Sequence, residues 1–295
     1  MILLCFAVLG LVRWRLTAKP FDAAALVECL PPDQATHVYL DVDALRRGGF
    51  LDLVAGSKAE EEPDYKEFIT QTGFDYRTDL DAAAAAFLHG NTYFTLRGRF
   101  DWKRLNQYAQ AQGGSCLNGV CEMAASMPGR HISFYPIRSN VLALAVSSEE
   151  RGVNMIGPNQ WRTPPQLPPD PLWISAPAFV FSDVKNLPEG THSFLGPLAQ
   201  AQRATFAVGP DGNQLRIHME VQCGSAQEAS ALAQQLTAST DLLRKMLERD
   251  HMTPNPHDLS AVLIAGKFDP QDNRVVGSWP IDRGFIEALA SGSAQ

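Results

Sequence analysis

Asp79-Leu80-Asp81-Ala82-Ala83-Ala84-Ala85-Ala86-Phe87-Leu88 is the stretch on which the fold turns. It has the highest helix propensity in the chain. Its counterpart in an internal repeat, Ala204-Thr205-Phe206-Ala207-Val208-Gly209-Pro210-Asp211-Gly212, reads instead as a strand entering a hairpin. Tertiary context overrides propensity, so the repeat makes residues 83–89 a strand. A helix there would remove this part of the alignment.

The other matches keep one order in both halves. Val38-Tyr39-Leu40-Asp41-Val42-Asp43-Ala44-Leu45 aligns with Val180-Phe181-Ser182-Asp183-Val184-Lys185-Asn186-Leu187, and Phe50-Leu51 with Phe194-Leu195. Gly90-Asn91 and Thr95-Leu96-Arg97 align with Gly212-Asn213 and Gln214-Leu215-Arg216. Residues 147–153 fall opposite 280–286. Each match is short; their shared order implies a duplication. Gln160-Trp161-Arg162-Thr163-Pro164-Pro165-Gln166-Leu167-Pro168-Pro169-Asp170-Pro171 lies between the copies and reads as a stiff, extended linker. The expected organisation is an apolar signal or anchor segment at 1–16, a linker at 17–33, an α+β unit at 34–158, the proline-rich linker at 159–171 and a second α+β unit at 172–291.

Within the units, residues 38–42 and 178–181 read as strands, and 63–72 as a helix stopped by Gly73. Phe94, Leu96, Gly98 and Phe100 alternate with Tyr93, Thr95, Arg97 and Arg99. In the second unit Leu215, Ile217, Met219 and Val221 alternate with Gln214, Arg216, His218 and Glu220. Period two with one polar face predicts sheets wet on one side. Asp101 caps a helix with Trp102, Leu105 and Ala109 inward. Ser225 and Glu228 form a capping box before Ala229, Leu232, Ala233 and Leu236. A further helical stretch at 241–249 would bury Leu242, Leu243, Met246 and Leu247. Strands are expected at 132–136 with 141–146, and at 261–268 with 274–279.

The chain has 295 residues, 25 Lys plus Arg against 32 Asp plus Glu, and a net charge of −7. Hydrophobic residues make up 45% and charged ones 19%, which argues against disorder as the main state. The net acidity is a poor basis for nucleic-acid binding, which needs clustered cations. No apolar run reaches the roughly 18 to 20 residues that span a bilayer. Residues 1–12 (MILLCFAVLGLV) have the length of a signal-peptide core. No basic residue precedes them, and Arg13 and Arg15 follow. They read as the end of a signal anchor whose start lies upstream, or alternatively as a buried first helix.

Five cysteines include Cys116-Leu117-Asn118-Gly119-Val120-Cys121. Asn-Gly favours a two-residue type I′ hairpin, because both central positions need positive φ. That turn sets Cys116 opposite Cys121 in a non-hydrogen-bonded pair, within reach of a disulfide given oxidising surroundings. Two reduced thiols are the alternative. The pairing of Cys5, Cys29 and Cys223 stays open.

Thr72-Gly73-Phe74-Asp75-Tyr76-Arg77-Thr78-Asp79-Leu80, then Leu96-Arg97-Gly98-Arg99-Phe100-Asp101, a helix and a Gly-rich hairpin resemble a widespread group of bacterial envelope proteins. So does Leu30-Pro31-Pro32-Asp33 before a strand ending in Asp41-Val42-Asp43-Ala44-Leu45. The resemblance covers the first unit well and the second loosely. It implies an N-terminal signal or anchor and tandem α+β repeats, and it supplies no catalytic residues.

Phosphate-loop, nucleophile-elbow and zinc-helix motifs are absent, and no cofactor is expected. His251 and His257, with Asp250 and Asp258, are the densest acid–base cluster and suit a metal or general-base role. Loops collect such residues anyway, and a solvated polar loop between helix and strand is the preferred reading. Asp41 and Asp43, with Asp183, suit a cation, but an aspartate ending a strand otherwise caps the next helix. Arg97, Arg99, Lys103 and Arg104 form a basic patch suited to an anionic glycan, head group or partner, or simply the wet face of a sheet. The sequence therefore predicts an α+β protein of two tandem duplicated units, each an antiparallel sheet with helices on one face. Its expected place is the extracytoplasmic envelope, with membrane contact through the N-terminal segment only. The expected role is non-catalytic presentation of a surface to a partner protein or envelope ligand. The alternative is a hydrolase or metal-dependent enzyme with a site between the units, using His257 and Asp258.

Overall fold

The computed structural model describes residues 21–32, 34–51, 63–158, 160–161, 166–182, 192–211, 214–251, 259–281 and 284–285. The anchor segment, Asp183, His257 and Asp258 lie outside them. No helix among the described residues is long and apolar enough to cross a membrane.

The alanine run is a strand. β1 (Thr36–Leu40), β2 (Leu80–Leu88) and β3 (Asn91–Gly98) pair antiparallel, and every alanine from Ala83 to Ala86 has a partner on both sides. His89 and Gly90, both at positive φ, turn the chain from β2 into β3. Ala82, Ala84 and Ala86 are fully buried, together with Leu26 and Val27 of helix α1 (Ala23–Glu28). Small side chains let a helix lie close to the sheet, and this outweighs intrinsic preference.

The remaining strands are β4 (Ser115–Leu117), β5 (Val120–Ala124), β6 (His131–Arg138), β7 (Val141–Ser147), β8 (Leu172–Pro177), β9 (Arg203–Asp211), β10 (Gln214–Gln222), β11 (Lys267–Gln271) and β12 (Arg274–Ile281). All join one antiparallel sheet of twelve strands, in the order β11-β12-β10-β9-β8-β1-β2-β3-β7-β6-β5-β4. The two expected sheets are therefore one, and the fold is α+β. Outward from the central β1–β8 pair the order is β1-β2-β3-β7-β6 on one side and β8-β9-β10-β12-β11 on the other. The β4–β5 hairpin extends the first side.

Pleating fixes two faces. One cross-strand row reads Ala143, Thr95, Ala84, Tyr39, Trp173, Ala207, His218. The adjacent row on the opposite face reads Leu144, Phe94, Ala85, Val38, Ile174, Phe206, Met219. On this second face, α5 (Trp102–Ala111), which follows α2 (Val42–Gly48), α3 (Pro63–Thr72) and α4 (Tyr76–Asp79), buries Leu105 and Ala109 against Phe134 and Leu142. Beyond α6 (His192–Leu195), α7 (Ala226–Arg249) and α8 (Leu259–Ile264) cover the other half.

Helices are not confined to that face. α1 covers the first face, where Thr95 Oγ1 donates to the Leu26 carbonyl at 2.9 Å and Arg97 donates to the Phe21 carbonyl at 2.9 Å. The polar side of β3, expected wet, is thus roofed: Tyr93 is 5% and Thr95 0% exposed. The expected linker at 17–33 contains this roof. Three further corrections are local. Residues 178–181 form a 3-10 turn after β8 rather than a strand. Residues 259–264 are helix α8, so β11 begins only at Lys267. The stretch 241–249 continues α7, but Leu242 is 60% and Met246 45% exposed. They lie off the stripe of Ala229, Leu232, Ala233, Leu236 and Thr240 that faces the core and that Leu243 continues.

The caps and the cysteine hairpin follow local chemistry. Asp101 Oδ1 accepts from Arg104 N at 3.1 Å, and Ser225 Oγ from Glu228 N at 3.2 Å. Asn118 and Gly119 have φ of 53° and 81°, and Cys116 and Cys121 face each other with Cα atoms 4.0 Å apart in a disulfide. Cys29 and Cys223 are free and buried; desolvation pushes the Cys29 thiol up to about 11. Alkylation of native protein should therefore leave these four cysteines unmodified. Reductant should release Cys116 and Cys121 alone, read by peptide mass mapping. Their labelling without reductant would contradict the bond.

Candidate functional site

The two halves of the sheet meet where β1 pairs with β8. Here the Tyr39 and Trp173 rings stack with centroids 5.7 Å apart, and Asp41 N donates to the Pro171 carbonyl at 2.7 Å. The second contact holds the proline-rich connection against the end of β1. Prolines 168, 169 and 171 cannot donate to a neighbouring strand, so the connection lies beside the sheet without extending it. A cavity of about 770 Å³ opens between this connection, α2 and the strand ends of the second half. Its walls include Leu45, Phe50, Leu172, Val208, Ile217 and Phe285, with Asp41 and Asp170 as its only carboxylates among the described residues. That size suits a small ligand, and the walls are apolar. Ile217 also borders a second cavity of about 140 Å³ beneath α7, walled by Met219, Leu236 and Trp279.

Most residues singled out from the sequence hold structure in place. Asp41 Oδ1 caps α2 by accepting from Ala44 N at 2.8 Å. Asp43 pairs with Arg46 at 3.3 Å and Arg47 at 3.2 Å. Arg97 anchors α1, Arg99 pairs with Asp79 at 3.0 Å, and Arg104 pairs with Asp101 at 3.6 Å. Lys103 is exposed beside them, so of the four basic residues only Lys103 lacks a partner among the described residues. Asp250 pairs with Arg249 at 2.9 Å, and His251 lies exposed in the turn after α7. No group of three His, Cys, Asp or Glu able to hold a metal occurs among the described residues.

Burial in the central core shifts two ionisable groups strongly. His37 is held down at about 4 by desolvation, partly opposed by its hydrogen bond to the Pro31 carbonyl at 2.8 Å, with Arg203 adding to the depression. Tyr39 is pushed up to about 12, chiefly by burial and then by Asp41. Nothing in the sequence marked the cavity, because its walls come from α2, the proline segment and strands β1, β8, β9, β10 and β12, which are distant in the chain. The proline run was the nearest signal, and it read as a linker.

No family model matches the chain, and no curated protein is similar to it by sequence. Among solved structures it is similar to TP0453: crystal form III superposes over 90% of this chain and 98% of that one, at 12% identity and a TM-score of 0.50. Crystal form I covers 91% and 96% at 12% identity, with a TM-score of 0.48. At 12% identity the likeness to form III is one of fold.

Proposed function

We propose that the protein is a non-catalytic binding protein of the bacterial envelope, tethered on the extracytoplasmic side by its N-terminal segment, which takes an apolar ligand at the junction of its two halves. The 770 Å³ cavity walled by Leu45, Phe50, Val208 and Ile217 carries the reading. Apolar walls of this extent gain free energy when a ligand replaces water. The matched strand orders on either side of β1–β8 support descent of the halves from one duplicated unit, which would place the cavity at the joint between copies. The Cys116–Cys121 bond fits an oxidising compartment.

The uncharged probe N-phenyl-1-naphthylamine should bind saturably with enhanced fluorescence. Ala44→Phe, which places a ring in the cavity from a half-buried position, should weaken uptake about tenfold or more. Absence of saturable enhancement, or equal uptake by the variant, would reject this site.

A further inference from the structure

A second groove lies on the first face of the sheet, over β8, β9 and β10, with a volume of about 420 Å³. Arg203, on β9, lines it half-buried. Its Nη1 donates to the Ala35 carbonyl at 3.3 Å, the Ser175 carbonyl at 3.2 Å and Ser175 Oγ at 3.3 Å; its Nη2 donates to the Ala35 carbonyl at 3.3 Å. These acceptors are all neutral, and among the described residues no carboxylate lies within ion-pair distance of Arg203. A guanidinium has five N–H donors. The bonds above leave Nε–H and one Nη2–H, the side-on pair that grips a carboxylate with two parallel hydrogen bonds.

The surroundings complete a site. Ser175 Oγ and Thr205 Oγ1 are 2.8 Å apart beside the arginine, and both line the groove. Trp161 is fixed at another wall by Nε1 donating to the carbonyls of Val27 at 3.0 Å and Leu30 at 3.1 Å. Trp173, 2% exposed, also lines the groove, and its Nε1–H has no acceptor among the described residues. Glu220, the one carboxylate at this groove among the described residues, is engaged by Arg274 at 3.1 Å. A partly desolvated cation without a counter-charge is costly, whereas an anion seated on its free edge recovers that cost.

We infer that this groove binds a small organic carboxylate with a flat apolar body, the carboxylate on the Nε/Nη2 edge of Arg203 and the body against Trp161 and Trp173. The site shares only Pro168 with the lining of the apolar cavity and stands or falls independently of it.

Calorimetric titration of the full chain with benzoate, and with neutral benzamide of the same shape, tests the assignment. Benzoate should bind at least about tenfold more tightly than benzamide, and Arg203→Gln should remove that difference. Glu220→Gln, which removes the groove's own carboxylate, should tighten benzoate several-fold, and it decides the matter if Arg203→Gln does not fold. Equal affinity for the two probes, no saturable benzoate binding, unchanged binding in Arg203→Gln, or unchanged binding in Glu220→Gln overturns the inference.

Discussion

Trp173→Ala is expected to destabilise the whole chain by about 3–5 kcal/mol, the range for deleting a fully buried indole whose cavity cannot collapse. Trp173 is 2% exposed and stacks on Tyr39 across the β1–β8 pair. The cluster around it takes Tyr39, Ala84 and Ala143 from one half of the sheet and Ala207 from the other. Loss of the ring therefore loosens both halves together. At about 2–4 °C per kcal/mol for a chain of this size, the midpoint should fall by roughly 10 °C in one transition. Calorimetry checks this: two transitions, with only one shifted, would show that the halves melt independently. Trp173→Phe should cost clearly less. It keeps an aromatic ring against Tyr39 and removes a buried Nε1–H that has no acceptor among the described residues.

The parts of this architecture that sequence reveals are those decided by neighbours in the chain. The Asn118-Gly119 turn, the Asp101 and Ser225 caps and the helix ending at Gly73 each need only a few consecutive residues, and each forms as its chemistry dictates. The alanine strand was legible only through its repeat partner, since its local preference points the other way. What escaped was decided at long range. Helix α1 buries just Leu26 and Val27, too short a stripe to stand out from a linker, yet it roofs Thr95 and anchors on Arg97. Its presence makes the polar side of β3 dry, while the corresponding side of β10 keeps His218 and Glu220 exposed. Phe179 and Val180 have strand-like composition, but they are 59% and 43% exposed in a 3-10 turn because β8 has already ended at Pro177. The same limit hides both candidate sites. Arg203 is one arginine among many until the register places it beside Ser175 without a carboxylate, and the apolar cavity exists only once α2 and the proline segment meet the strand ends.

Stability should fall on acidification between about pH 6.5 and pH 4, and His37 is the cause. Its ring is 2% exposed, tilted against Trp161 with centroids 5.1 Å apart. A carbonyl can only accept, so the 2.8 Å contact with the Pro31 oxygen places a ring proton on Nε2, and desolvation keeps the ring neutral. Charging the ring would bury a cation near Arg203, the charged neighbour that adds to its depression. Folding lowers the pKa from 6.5 to about 4, so between those values the unfolded chain binds the extra proton. Stability from this group is complete above the unfolded value, and it is lost as the pH drops toward the folded value. At 1.36 kcal/mol per unit the loss approaches 3 kcal/mol, an order-of-magnitude figure. His37→Gln keeps an amide donor for Pro31 but has no proton to gain. Urea unfolding from pH 7.5 to 4.5 should show the slope of the native chain flattened in the variant by most of that amount. An unchanged slope would assign the acid sensitivity to other groups and remove His37 from the account of the central core.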